Sequence, residues 1–234
     1  MKAIVLVGLV LMSYAANAGE IVVNQIKGEV AVRSGIEETW HPVKPGDKLK
    51  PHDSMKTGKG ASAVLLVSLQ GSDKPARISL PPNVILDLSD VRNLTRDELI
   101  LSLTMERVKA SPSNPKENEL EIPNATVVHG ERRTEEGADK ADEEAAVLRM
   151  NGTRVLFTNG FFSTCALKGL SLLERFPSLG KTFENRYLVA ESLERSDLRG
   201  EALNEYLDLS SMPNLTAEQQ RLVRARITRL RGEG

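Results

Sequence analysis

From Ile21 to about Arg133, apolar residues recur at every second position in short runs, and from Ala145 onward they recur at every third or fourth. A period of two puts one face of a strand in the core, and a period near 3.6 puts one stripe of a helix there. Val30 and Val32 alternate with Glu29, Ala31 and Arg33, and Ile78 and Leu80 alternate with Arg77 and Ser79. Ala63 to Leu69 is a denser apolar run, as expected of a buried strand. Ile85 to Leu88 and Leu99 to Met105 continue the series of predicted strands. Turn residues separate them at Pro45-Gly46-Asp47, Thr57 to Gly60, Gln70 to Asp73 and Pro81-Pro82-Asn83. After the polar Ser111 to Asn118, Leu120 to Val128 reads as one or two last strands. Pro123 lacks an N–H and belongs at an edge or bend there. The pattern predicts an all-β, sandwich- or roll-like N-terminal domain over residues 19–133.

Glu131 to Glu144 holds seven acids, three bases and no large apolar residue. It predicts a charged linker over 134–144 that runs into a helix start. Beyond it, Leu148, Val155 and Leu156, then Leu167, Leu170 and Leu173, fall at helical spacing. Thr216-Ala-Glu-Gln219 is a capping box, in which the hydroxyl and the amide side chain satisfy free N–H groups reciprocally. It opens a last helix with Val223, Ile227 and Leu230 on one stripe and five arginines on its other faces. Ala166-Leu167, Leu173, Pro177 and Leu179 reappear 36 residues later as Ala202-Leu203, Leu209, Pro213 and Leu215. Two stacked helical hairpins, each ended by a proline, account for that offset. The predicted fold class is therefore β plus α in separate domains, with a repeat-like helical domain over 145–234.

The first eighteen residues change the picture of where the protein works. Lys2 is a positive n-region, Ala3 to Met12 is a short apolar run, and Ala16-Asn17-Ala18 is a small-x-small site, so cleavage is expected between Ala18 and Gly19. No later run reaches the roughly 18 apolar residues of a membrane span. The expectation is an exported chain, periplasmic or secreted, without a transmembrane span. Its formal charge of −1 becomes more negative by one when Lys2 leaves. That balance, with aromatic residues at only 4%, argues against a nucleic-acid partner, which calls for a basic domain. The single cysteine, Cys165, rules out an internal disulfide framework and sits beside Ala166 and Leu167 as a buried small residue.

Gly28-x-Val30-x-Val32, Trp40-x-Pro-Val43, Gly46-Asp47-x-Leu49, Asp53, Thr57-Gly58, Ser62-Ala63, Gly71-Ser72 and the Leu80 to Leu88 stretch together resemble the FecR domain. The Leu99 to Val108 segment, Glu121 to Val128 and His129-Gly130-Glu131 resemble the end of that domain. The usual closing Arg-Gly-Thr is His129-Gly130-Glu131 here, and Gln70 stands where the family's Asp precedes Gly-Ser. The resemblance implies an exported β-module of a bacterial cell envelope and does not carry over sigma-factor control. The helical half is similar to tetratricopeptide-type repeats, whose period is 34 residues, although their first-helix Trp/Leu-Gly signature is absent.

Candidate chemistry is sparse. His41, His52 and His129 are far apart and have no ligand-spaced partner. Gly58-Lys59-Gly60-Ala61-Ser62 lacks the spacing of a phosphate loop. Asp47 and Asp53 form no acid pair, since both sit in turns where a carboxylate caps backbone N–H groups. No catalytic residue, cofactor or metal ligand is expected. The expected function is a non-enzymatic interaction or scaffold module with an envelope protein as partner. Alternatives are a sensory, signal-transmitting envelope component and a glycan-binding module. Candidate binding residues are Trp40, as a stacking platform for a glycan, and Arg221 and Arg224 on the last helix, for an acidic partner. The competing reading of Trp40 is a core residue of its hairpin.

Overall fold

The structure, a computed structural model, describes residues 20–69, 72, 74–110 and 135–232, with the side chains of 106–110 and 135–139 left aside. The expected signal segment with Ala18 and Gly19, the strands over Leu120 to Val128 and the motif His129-Gly130-Glu131 lie outside the described residues. Among the described residues, eight strands form two four-stranded antiparallel sheets. They are β1 (Ile21–Lys27), β2 (Val30–Ser34), β3 (His41–Pro42), β4 (Lys48–Leu49), β5 (Asp53–Thr57), β6 (Ser62–Val67), β7 (Ala76–Leu80) and β8 (Val84–Asp87). One sheet has the order β4-β1-β6-β7 and the other β3-β2-β5-β8.

The dense apolar run read at Ala63 to Leu69 forms β6, and in the structure its side chains alternate in burial. In β6, Ala63, Leu65 and Val67 are buried while Ser62, Val64 and Leu66 are half-buried. In β7, Ile78 and Leu80 are buried. These residues meet Met55, Val84 and Leu86 of the other sheet in one continuous apolar cluster. The chain passes between the sheets at Gly28, whose φ of +75° suits glycine and where an added Cβ would stand 3.0 Å from Ala61. Asp47 and Asp53 accept hydrogen bonds from the backbone N–H groups of Lys44 and Lys50, both at 2.8 Å, as turn carboxylates do.

A short 3-10 turn (Leu88–Asp90) is followed, among the described residues, by six helices: α1 (Arg96–Ala110), α2 (Glu135–Thr158), α3 (Phe162–Arg175), α4 (Phe183–Arg195), α5 (Arg199–Ser210) and α6 (Ala217–Gly232). A second 3-10 turn, Leu179–Lys181, precedes α4. From α2 to α6 each helix packs on the next. No helix among the described residues is long and apolar enough to cross a membrane. The α6 capping box forms as expected, with Thr216 N–H donating to Gln219 Oε1 (3.0 Å) and Gln219 N–H to Thr216 Oγ1 (3.2 Å).

Three expectations are corrected. Leu99 to Met105, and with it the Leu99 to Val108 strand, is the helix α1. Its alternating leucines fit a helix equally well, and Thr95 decides the matter. Thr95 Oγ1 accepts from Glu98 N–H at 3.2 Å while Glu98 Oε2 accepts from Thr95 N–H at 2.8 Å. Leu99 and Leu103, four apart, are then buried, and Ile100, Leu101 and Met105 turn to solvent. Of the linker expected over 134–144, residues 135–144 are instead the first turns of α2. A polar run needs no core contact to remain helical when the same helix is anchored further on. Nor do the two halves have separate cores: Val155, Leu156, Phe161 and Cys165 join the cluster formed by the sheets.

The anchor is close contact between α2 and β8, an edge strand of its sheet. Gly152 lets the helix backbone approach so far that an added Cβ would stand 2.1 Å from the Ile85 carbonyl oxygen. Asn151 Nδ2 donates to the Asn83 carbonyl beside it at 2.8 Å. A helix laid on an edge strand also shields it from pairing with another chain. Gly152→Ala is therefore expected to cost at least about 2 kcal/mol, as overpacking against rigid backbone does. Gly200→Ala, in a helix with nothing within 4 Å, is expected to raise stability by up to about 1 kcal/mol. Urea unfolding of the two variants checks this, and equal midpoints would contradict the close approach.

Candidate functional site

Two recesses and one surface aromatic carry the functional possibilities among the described residues. The first recess is a groove of about 300 Å³ between α1, α3, α4 and α5. Leu103 of α1, Leu167, Leu170 and Leu173 of α3, and Leu193 of α4 form its apolar wall. Four carboxylates, Glu174, Glu201, Glu205 and Asp208, rim it against one guanidinium, Arg186. Arg186 is held by donation from Nε to the Gly180 carbonyl at 3.0 Å. The acids are brought together by the helical period: Glu201, Glu205 and Asp208 lie on one face of α5 at steps of four and three. Ile100, Leu101 and Met105 of α1 are also exposed, but Leu101 and Met105 lie on the side of that helix turned away from Leu103.

The second recess is polar. It lies where β8 and the turn after it meet α2 and α3, and encloses about 340 Å³. Lys168 Nζ stands 3.1 Å from Asp90 Oδ2 and 3.6 Å from Asp87 Oδ2. Ser54 Oγ donates to the other Asp87 oxygen at 2.6 Å. Burial pushes the Asp90 carboxyl up from 3.8 to about 6, against the pull of Lys168 and with a smaller push from Asp87. Nearby, Thr164 Oγ1 and Ser163 Oγ of α3 donate to the carbonyls of Arg92 (2.7 Å) and Leu94 (3.3 Å), which fixes α3 against the chain leaving the sheets. Sequence reasoning weighed Asp47 and Asp53 and passed over Asp87 and Asp90. Their i, i+3 spacing is a local signal, but Lys168, which completes the cluster, lies on a distant element.

Trp40 lies outside the apolar clusters and is half-buried, which corrects its reading as a hairpin core residue. The Arg33 guanidinium stands over its ring at 5.0 Å from the centroid and the Lys56 ammonium at 5.8 Å. Arg33 Nε is buried without a hydrogen-bond partner, so the ring face is what this cation meets. A glycan stacking on Trp40 would have to share the ring with these cations. Arg221 and Arg224 are exposed on α6, an element that packs on α5 and not on the Trp40 sheet. Two other arginines of α6 are engaged internally. Arg226 meets Glu191 and Glu194 at 3.4 Å and donates to Tyr187 Oη at 3.1 Å, and Arg229 pairs with Glu194. Tyr206 donates to the same Glu194 at 2.9 Å, and burial holds its phenol well above the usual range.

Cys165 is fully buried, accepts from Ser192 Oγ at 3.2 Å, and its thiol is pushed up to about 12 by burial. No group of three or more His, Cys, Asp or Glu among the described residues is arranged to hold a metal ion. His41 and His52 are exposed, and His129 lies outside the described residues.

Two outcomes follow from these shifts. Because Asp90 is protonated more readily folded than unfolded, its contribution to stability is full below about pH 4 and is lost as pH rises through 6. Asp90→Asn should thus gain stability relative to the parent at pH 7 to 8, by about 3 kcal/mol at most, and converge with it near pH 4. Lys168 keeps Asp87 in that variant. Chemical denaturation at several pH values measures the difference, and a constant gap across pH 4 to 8 would contradict it. Cys165 should resist thiol alkylation at pH 8 in the native protein and react in denaturant, as mass spectrometry would record.

No protein-family model matches this chain, and no curated protein matches it.

Proposed function

We propose that this protein is a non-enzymatic, exported interaction module of a bacterial cell envelope. Its two sheets are read as a FecR-like β-sandwich, and α2 to α6 as a short stack of tetratricopeptide-like hairpins. The observation that carries the reading is the groove of leucines rimmed by Glu174, Glu201, Glu205 and Asp208. An apolar wall supplies affinity, and a rim of one sign selects a partner of the other. The partner is therefore an envelope protein offering a basic, amphipathic segment, whose apolar side chains enter the groove. This differs from an acidic partner at Arg221 and Arg224, which are exposed on α6 and do not line the groove. The full chain is taken as the active unit, since Val155 and Leu156 of α2 and Cys165 of α3 join the core of the sheets.

A photo-crosslinking residue at Asn204, on the rim of the groove, tests the reading in intact cells with the full chain. The expected result is one envelope protein, joined through a basic amphipathic segment. Its capture should fall at least tenfold in Glu201→Lys with Asp208→Lys, and stay unchanged in Arg221→Ala with Arg224→Ala. Equal capture from Thr228 on α6, or indifference to the charge reversal, would sink the groove as the binding element.

A further inference from the structure

The polar recess between β8, α2 and α3 has a charge layout that the interaction role does not use. Asp142, Arg149 and Thr153 lie on one face of α2, and Lys168, Ser171 and Arg175 on one face of α3; all line the recess. The two helices are joined by a turn of three residues, 159–161, and fold back on each other. Ala146 and Met150 of α2 accordingly pack with Leu172 and Leu173 of α3 and with Phe176 just after it. Lys168 therefore sits toward Thr153 and the sheet, and Arg175 toward Arg149 and Asp142.

The two ends carry opposite charge. At the sheet end, Asp87 and Asp90 share the Lys168 ammonium, and Arg92, which also pulls on Asp90, is paired with Glu98, so one negative charge is in excess. At the outer end, two guanidinium groups, Arg149 and Arg175, face one exposed carboxylate, Asp142, which leaves one positive charge in excess. Arg149 is half-buried and forms no ion pair among the described residues. Arg175 lies over the Phe176 ring at 5.3 Å, which orients its fork without occupying the N–H groups. Lys168 and Arg175 are seven residues apart on α3, a rise of about 10 Å. An extended chain of three residues spans about the same length.

We propose that this recess is a binding site for a short zwitterionic peptide of about three residues. Its α-ammonium meets Asp87 and Asp90, and its carboxylate is gripped by Arg149 and Arg175. A planar guanidinium suits a terminal carboxylate because it can donate two parallel N–H bonds. A volume of about 340 Å³ accommodates small side chains and not bulky ones. The peptide bridges β8 and the helices, so its occupancy also strengthens the junction around Gly152. This inference stands apart from the groove, since neither the partner nor the rim residues of the groove enter it.

The test uses the full chain and trialanine as probe, with N-acetyl-trialanine, trialanine amide and free alanine as comparisons. Calorimetric titration and the melting temperature are read together. Trialanine is expected to bind with a Kd in the millimolar range or tighter and to raise the melting temperature. Each capped peptide and free alanine should bind at least tenfold more weakly. Arg175→Gln, at an exposed position, should lose tenfold for trialanine and leave the melting temperature of the free protein unchanged. Asp90→Asn should lose affinity for trialanine while leaving the weak binding of the N-acetyl form as it was. Absence of binding, equal binding of the capped peptides, or parent-like affinity in Arg175→Gln would overturn the proposal.

Discussion

The structure depends on one close approach, the contact of the α2 backbone at Gly152 with the Ile85 carbonyl of β8. A side chain at that position would push the helix away from the strand. The helix covers the edge of a sheet, sends Val155 and Leu156 into the core between the sheets, and fixes the start of α3. The placement of α3 then sets Lys168 against Asp87 and Asp90. Each later helix is located by the one before it, so the groove and the polar recess both descend from this contact. Gly169 repeats the device one layer out, where an added Cβ would stand 2.5 Å from Val189 Cγ2 of α4.

Charge is divided between internal and outward use. Glu191 and Glu194 of α4 are committed to Arg195, Arg226, Arg229 and the Tyr206 hydroxyl. Such a partly buried network favours one arrangement of α4, α5 and α6 over others, because a lost partner would leave a carboxylate with poor solvation. The Arg195 guanidinium, 4.9 Å from the Phe162 ring and 5.0 Å from the Phe157 ring, ties the same network to the α2–α3 corner. The carboxylates of the groove rim and the guanidinium groups at the outer end of the polar recess stand outside that network. Among them, Glu174, Glu201 and Asp208 at the groove and Arg149 and Arg175 at the recess are the charges that the two proposals direct to other molecules.

Both binding proposals place recognition on helices that a β-scaffold holds still. The buried, tied-down Cys165 and the turn-capping roles of Asp47 and Asp53 fit that division, with these side chains serving structure. Specificity then comes from shape and charge: leucines under an acidic rim for a macromolecule, and two opposed charged ends for a small zwitterion.

The sequence by itself determined what short-range physics controls. The dense apolar run from Ala63, alternation in Ile78 to Leu80, turn residues at Gly46 and Gly58, and the Thr216–Gln219 capping box each act within a few residues, and each forms as read. The same reasoning misjudged Leu99 to Met105, because leucines at alternate positions satisfy both periods and only the Thr95–Glu98 cap separates them. Little of the candidate sites was legible. Trp40, Arg221 and Arg224 stand out by residue type and are not brought to one place. Asp87, Asp90 and Lys168, or Leu103 and Asp208, become neighbours only when helices distant in sequence are stacked. The tertiary structure alone decided whether the polar run before Ala145 was a linker or a helix, and whether the two halves shared a core. Those outcomes turn on how closely two backbones can approach, and a lone glycine in a helical pattern carries no mark of the strand it will touch.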